Sequence, residues 1–220
     1  MKSLLLSIHL TVSTVMIGSA ASPSFDWNSE IIHCGNLVYG NNQTSVCFAD
    51  TFLTDAAKET GLRISPRFAR IELAKHDVFN TPLCIFTGEG VFALKDAERA
   101  NLRRYLENGG FVLASPGCSN SDWNAAFRRE IALALPGYEL KQIAMDHAIF
   151  STVKRIRSLT VKGRTTYLQG IFVNGRLALV YSPEGLNNAS NAKGCCCCGG
   201  AEISEAREVN VNAVAYALLH

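Results

Sequence analysis

The sequence predicts an α/β fold in which helices cover both faces of a mainly parallel sheet, a three-layer, doubly wound arrangement. Short apolar runs alternate along the chain with segments of helical periodicity, the order typical of parallel sheets. The runs at residues 82–88 and 111–114 are the kind of continuous apolar strand that lies buried between two layers of helices. An Asn174-Gly175 pair between two further apolar runs predicts an antiparallel hairpin near the end of the chain.

The other elements follow from the same patterns. Strands are also predicted at residues 36–40 and 70–73, and helices at residues 49–61 and 94–107. Ser119 to Asp122 fits a capping box that opens another helix. The last third contains the hairpin strands within residues 165–181, a surface loop at residues 187–200 and a closing helix at about residues 204–219.

The first 20 residues have the pattern of a secretory signal peptide. Lys2 supplies the positive start, residues 4–17 the apolar stretch, and Gly18-Ser19-Ala20-Ala21 the small-residue cleavage zone. An uncleaved anchor is the alternative, although polar residues interrupt the apolar stretch and it is short for a membrane span. We expect a leader at residues 1–20, a lead-in at residues 21–32 and a single α/β domain at residues 33–220, without an integral membrane segment after cleavage.

Composition restricts the class of partner. Of the 220 residues, 48% are hydrophobic and 18% are charged, as in globular domains. The formal charge is +2, and the 21 basic residues include Lys2 of the leader, so the mature chain is close to neutral. Nucleic-acid-binding domains carry a basic surface, and we therefore expect no nucleic-acid partner.

Several motifs follow one another in a characteristic order. An apolar strand ends in Gly88-Glu89-Gly90, and a Gly109-Gly110 pair opens the next strand. The others are Phe92 and Leu94 leading into Glu98, Leu102, Arg103, Tyr105 and Leu106, then Phe127-Arg128-Arg129-Glu130, Leu135-Pro136-Gly137, Asp146-His147-Ala148-Ile149-Phe150 and Val209-Asn210-Val211-Asn212. Over residues 33–219 the chain thus resembles the bacterial family called domain of unknown function 4159. The resemblance implies a fold like those of class I glutamine amidotransferases and flavodoxin-like proteins, and a bacterial source. Together with the predicted leader, this gives export to the periplasm or cell envelope of a bacterium as the expected location.

Two positions depart from the family's pattern. Ser115-Pro116-Gly117-Cys118 stands where many members carry acidic residues, and Ala148 replaces the proline of an Asp-His-Pro motif. The family is uncharacterised, so the resemblance implies a fold and no activity.

Cys118 and His147 are the candidate catalytic residues. Cys118 follows a buried strand and precedes a helix, where amidotransferase-like folds hold a nucleophile and where a helix N-terminus would lower a thiol pKa. His147, oriented by Asp146, would act as the base. The alternatives are an oxidised or merely buried cysteine and an Asp-His pair that caps a turn.

Glu89, Gly88, Ser115 and Asp146 are the candidate ligand-binding residues. Gly88 and Glu89 follow one buried strand and Ser115 follows the next. Open α/β sheets bind ligands at the carboxyl ends of their strands. The alternative for Glu89 is a solvated loop residue.

Four consecutive cysteines, Cys195-Cys196-Cys197-Cys198, lie between glycines. Together with Cys34, Cys47, Cys84 and Cys118 they make eight, an even number that is compatible with disulfides. Thiolates bind Zn²⁺ or Cu⁺, but adjacent cysteines cannot all turn toward one ion. We expect disulfides, with a metal site or an incidental loop as alternatives. The sequence has no phosphate-binding glycine motif, and we expect no cofactor.

Three functions remain open. We expect an exported, non-catalytic protein of the cell envelope that binds an unknown protein or small-molecule partner. The first alternative is an amidotransferase-like or hydrolytic enzyme that uses Cys118 and His147. The second is a metal or redox role for the Cys195 to Cys198 loop.

Overall fold

A computed structural model describes residues 31–41, 44, 48, 50–186 and 201–220. The predicted leader and the loop with the four cysteines lie outside these residues. The elements in chain order are β1 (Gly35–Val38), α1 (Thr51–Thr60), β2 (Ala69–Glu72), β3 (Leu83–Phe86), α2 (Asp96–Glu107), β4 (Phe111–Ala114), α3 (Ser121–Ala134), β5 (Lys141–Gln142), β6 (Leu159–Val161), β7 (Arg164–Thr166), β8 (Gln169–Val173), β9 (Arg176–Tyr181) and α4 (Ala206–Leu219).

Seven strands form one mostly parallel sheet in the order β2-β1-β3-β4-β9-β8-β5. The first five strands of this order run parallel to one another. β8 pairs antiparallel with both β9 and β5, and β6 and β7 form a separate antiparallel hairpin. The predicted α/β class with a mainly parallel sheet is confirmed.

Two hydrophobic clusters, one on each face, hold the helices against the sheet. α1 contributes Phe52 and Leu53 to one cluster, which also contains Val209 of α4. α2 and α3 contribute Leu102 and Trp123 to the other. β3 and β4 are buried along their whole length, which explains their continuous apolar sequence.

The predicted turn between β8 and β9 is confirmed. Asn174 and Gly175 both have positive φ angles, 50° and 80°, which the tight hairpin turn requires and which these two residue types tolerate. β9 then pairs in parallel with β4, so the second strand of the hairpin belongs to the parallel part of the sheet.

The predicted capping box at Ser119 is wrong. Ser119 has a φ of 52°, whereas an N-cap residue needs extended backbone. Asn120, with φ −66° and ψ 117°, takes that position, and its side-chain oxygen accepts the Trp123 N–H at 2.8 Å. α3 therefore begins at Ser121, and the Ser119 hydroxyl is left to make a different contact.

The parallel strands all end at one side of the sheet, which we call the carboxyl edge. Glu98 of α2 fixes the chain where β1 reaches this edge. Its two carboxylate oxygens accept the Gly40 N–H at 2.9 and 3.1 Å, and one of them accepts the Lys95 N–H at 2.7 Å. Glu98 is only 3% exposed, so these backbone donors replace the water that its charge has lost.

Within the described part of the chain, no helix has both the length and the apolar character that a membrane span requires.

Replacing Glu98 tests this anchor. Glu98→Ala leaves the Gly40 and Lys95 N–H groups without their acceptor, and we expect it to lower the free energy of unfolding by about 1–3 kcal/mol. Glu139→Ala, at an exposed loop position, is the control and should stay within about 0.5 kcal/mol. Urea denaturation of both variants measures the difference, and equal midpoints would contradict the role of Glu98.

Candidate functional site at the carboxyl edge

The carboxyl edge is built from the loops that follow β3, β4 and β9. The hydrogen-bond ladder between β3 and β4 continues beyond the strands, because the Ser115 N–H donates to the Phe86 carbonyl at 3.2 Å and the Gly117 N–H donates to the Gly88 carbonyl at 2.7 Å. The loop after β9 joins in the same way, since the Ser182 N–H donates to the Ala114 carbonyl at 3.0 Å. The three loops are thus extensions of the sheet.

Two close contacts at this edge depend on glycine: Gly117 packs against the loop after β3, and Gly88 packs against Tyr39 and Trp123. A Cβ atom at Gly117 would lie 2.9 Å from Glu89 Cγ and 3.1 Å from the Gly88 carbonyl oxygen. A Cβ atom at Gly88 would collide with the Tyr39 hydroxyl and lie 2.9 Å from Trp123 Nε1. Gly88, a predicted ligand-binding residue, is buried and positions its neighbours.

Tyr39 and Trp123 fill the crevice between β1 and β3 at this edge. The Trp123 indole N–H donates to the Tyr39 hydroxyl oxygen at 2.7 Å, and that hydroxyl donates to the Thr87 carbonyl at 3.0 Å. Both rings are buried, and Phe86 and Phe92 pack against them. Open α/β sheets bind ligands in such a crevice, but here aromatic side chains of the chain itself occupy it.

Glu89 and Cys118 lie side by side above these contacts. Glu89 is exposed, and its Oε1 is 3.5 Å from the Cys118 sulfur. Cys118 has a left-handed backbone, with φ 51° and ψ 30°, on a strand-to-helix turn. A non-glycine residue in that region is strained, and such turns also present the nucleophile of some hydrolases.

Ser115 and Ser119 hold the neighbouring segments in place. The Leu186 N–H donates to Ser115 Oγ at 2.8 Å, and Ser115 is fully buried. The Ser119 hydroxyl donates to the Ala201 carbonyl at 2.8 Å and accepts the Ala201 N–H at 2.7 Å. Ser115, a predicted ligand-binding residue, therefore binds a loop of the chain itself.

Sequence reasoning missed three buried polar atoms near this edge. Thr87 Oγ1 and Ser182 Oγ have no hydrogen-bond partner within the described residues, nor does Asn210 Oδ1. The strand pairing places Thr87, Ser115 and Ser182 in one row, each directly after its strand. Buried polar atoms of this kind are ordinarily satisfied by an internal water molecule.

His147 and Asp146 lie at the opposite edge of the sheet. The His147 ring contacts Phe172 and Tyr216, and Tyr216 contacts Phe111, the first residue of β4. Cys118 lies beyond the other end of that strand. The structure therefore brings Glu89 and Cys118 together and does not bring His147 or Asp146 to them.

The contacts of His147 are those of a capping residue. Its Nδ1 accepts the Ile149 N–H at 3.2 Å at the start of a short 3-10 turn. Burial is the first cause that lowers its pKa, the charge of His220 lowers it further, and Asp146 opposes both. The neutral ring is the form that accepts the Ile149 N–H.

The lowered pKa of His147 predicts a pH dependence of stability. Below about pH 6.5 the unfolded chain takes up a proton on this ring before the folded chain does, so the free energy of unfolding falls as the pH is lowered. His147→Asn keeps an acceptor for the Ile149 N–H and removes the titration, and we expect a smaller loss of stability between pH 7.5 and pH 5. Urea titrations at several pH values measure it, with His76→Asn, an exposed histidine, as the control. A loss as large in His147→Asn as in the unaltered chain would contradict the assignment.

Residues 31–41, 44, 48, 50–186 and 201–220 contain no group of three or more His, Cys, Asp or Glu side chains arranged to hold a metal ion. Cys195 to Cys198, the predicted alternative metal ligands, lie outside this part of the chain.

These features define an α/β domain with a mostly parallel sheet and a carboxyl edge assembled from hydrogen-bonded loops. The chain belongs to the family described as Domain of unknown function (DUF4159), whose model matches residues 35–218. The family predicted from the sequence motifs is thereby confirmed. No curated protein matches the sequence.

Proposed function

We propose that this protein is an exported, non-catalytic domain of the bacterial cell envelope that binds a partner at the carboxyl edge of its sheet. The observation that carries the proposal is the exposed Glu89 side chain, which lies on loops that are locked to one another by backbone hydrogen bonds. A surface that is already ordered loses little conformational entropy when a partner binds.

The side chains at this edge favour a partner with a cationic group beside an apolar one. Glu89 supplies an exposed carboxylate at this edge, whereas the half-buried Glu184 accepts a hydrogen bond from the Thr166 hydroxyl. Val91, two residues after Glu89, is 66% exposed and offers an apolar contact next to the carboxylate. Carboxylates attract cations, and burial of an apolar side chain adds to affinity.

Photo-crosslinking tests the binding surface. A photoreactive amino acid at position 91 should capture a specific partner in the living cell envelope, whereas the same group at Leu133, exposed on α3, should not. Glu89→Lys reverses the charge at the centre of the surface and should reduce the captured product about tenfold or more, since a hydrogen bond to a charged group contributes about 1.5–3 kcal/mol.

Glu139→Lys makes the same change of charge at an exposed residue away from the edge and is the matched control. The proposal fails if positions 91 and 133 capture the same products, or if Glu89→Lys and Glu139→Lys have equal effects.

The strand order also supports a flavodoxin-like or amidotransferase-like fold. The parallel strands lie in the order β2-β1-β3-β4-β9, which in terms of parallel strands is the flavodoxin-like order 2-1-3-4-5. We propose this finer classification on that order alone.

The enzyme hypothesis has less support. The turn at Cys118 resembles a nucleophile turn, but a cysteine nucleophile needs a base within hydrogen-bond reach. His147, the predicted base, lies at the other edge of the sheet. Cys118 is also not among the free thiols of the structure, which include Cys34 and Cys84.

We propose instead that Cys118 forms a disulfide with one cysteine of the run 195–198. The Ser119 hydroxyl holds Ala201 next to Cys118, and Cys198 is only three residues before Ala201. Three residues span at most about 11 Å, and a disulfide joins Cα atoms about 4.4–6.8 Å apart, so Cys198 can reach Cys118. The two thiols lose two protons and two electrons to an oxidised thiol–disulfide exchange protein of the exporting compartment.

Mass spectrometry of the protein recovered from the envelope tests export and the disulfide in one experiment. We expect a mature N-terminus at Ala21 and, without reduction, a Cys118 peptide linked to the peptide with residues 195–198. Cys34 and Cys84 should react with alkylating reagents only after unfolding, because both are buried and burial raises the pKa of each to about 12.

The outcomes separate the hypotheses. A retained leader contradicts the predicted cleavage. A Cys118 linked to Cys47 contradicts the proposed pairing. A Cys118 that is free and reacts rapidly near neutral pH favours the enzyme hypothesis, and bound Zn²⁺ or Cu⁺ released on alkylation of the loop favours the metal role.

A further inference from the structure

A cavity of about 550 Å³ opens at the amino edge of the sheet, opposite the candidate site. Its walls come from the turn before β3, from the Gly109-Gly110 turn after α2, from Leu218 of α4 and from the first described residues of the chain, Ile31 to His33. The volume is in the range of cavities that bind small molecules, and its lining is mixed, with Phe79, Pro82 and Tyr105 among the apolar members.

The position of Ile31 places the preceding segment at the mouth of this cavity. Ile32 is held by two backbone hydrogen bonds, its N–H to the Arg63 carbonyl at 2.8 Å and its carbonyl to the Ser65 N–H at 2.9 Å. Ile31 itself lines the cavity and is 50% exposed. The segment before residue 31 is therefore joined to the domain at the wall of the cavity.

The segment before Ile31 has two aromatic side chains among polar ones. In Ser22-Pro23-Ser24-Phe25-Asp26-Trp27-Asn28-Ser29-Glu30, Phe25 and Trp27 are the large apolar residues. Trp27 is four residues and Phe25 six residues from Ile31, which allows spans of at most about 14 and 22 Å. Side chains two residues apart lie on the same side of an extended segment, so both can face the cavity together.

We propose that the segment at residues 22–30 docks in this cavity through Phe25 and Trp27. Aromatic side chains gain the most from burial, and they would cover the apolar part of the cavity wall, which includes Phe79, Pro82 and Tyr105. Docking attaches the start of the mature chain to the amino edge of the sheet and leaves the carboxyl edge free for a partner.

Fluorine NMR of the protein labelled with 5-fluorotryptophan tests the proposal. The chain has two tryptophans, Trp27 and the buried Trp123, and Trp27→Phe assigns the two resonances. We expect the Trp27 resonance to lose most of the solvent-isotope shift that a tryptophan shows in the unfolded chain, because the cavity walls exclude water from its ring.

A pair of adjacent substitutions makes the test specific to the cavity. Leu218→Lys places a charge in the cavity wall and should restore the solvent-isotope shift of Trp27, whereas Leu219→Lys, at a neighbouring residue that is 70% exposed and does not line this cavity, should leave it unchanged.

Three results would overturn the proposal. The first is a full solvent-isotope shift for Trp27 in the unaltered protein. The second is a shift that increases on dilution, which would make the occupant a second copy of the chain. The third is an equal response to Leu218→Lys and Leu219→Lys.

Discussion

The hydrogen bond from the Gly117 N–H to the Gly88 carbonyl extends the central pair of strands beyond their ends, and glycine fits at position 117 because a Cβ atom there would lie 3.1 Å from that carbonyl oxygen. Glu89 is exposed next to Cys118 since the two loops run side by side at this distance. The turn after Gly117 places Ser119 beside Ala201. The two hydrogen bonds between these residues hold the segment at Ala201 against the edge. A Cβ atom at Gly117 would press on Glu89 and on the Gly88 carbonyl, and a Cβ atom at Gly88 would collide with the Tyr39 hydroxyl and crowd Trp123, so either substitution would disturb the edge.

Much of the fold could be predicted because the burial of an element determines which of its residues are apolar. β3 and β4 are apolar along their length since helices cover both of their faces, and α2 shows the helical repeat since one side of it faces water. The sequences of β5 and β7 show no such apolar pattern. Lys141 and Gln142 are exposed and polar, and they form a strand only because β8 lies beside them. Strand formation of that kind depends on tertiary contacts, which a local pattern does not contain.

The candidate site could be predicted only where it follows from strand ends. Glu89 and Cys118 were found because parallel strands end at one edge. The separation of His147 from Cys118 depends on the path of the chain through the irregular stretch between α3 and β8, where short elements gave little periodic signal. The contact between Trp123 and Tyr39 joins residues 84 positions apart, and nothing local predicts it. Asn120, by contrast, is a favoured N-cap residue type, so its role at the start of α3 is predictable from the local sequence.

Hydrogen exchange at the carboxyl-edge amides tests most directly whether the loops form one locked surface. The account predicts that the Gly117, Ser182 and Leu186 amides exchange nearly as slowly as the amides within β3 and β4, because each donates a hydrogen bond that must break together with the sheet. Exchange at the fast rate of exposed loop amides, with β3 and β4 still protected, would contradict it and would leave Glu89 on loops that are not held by the sheet.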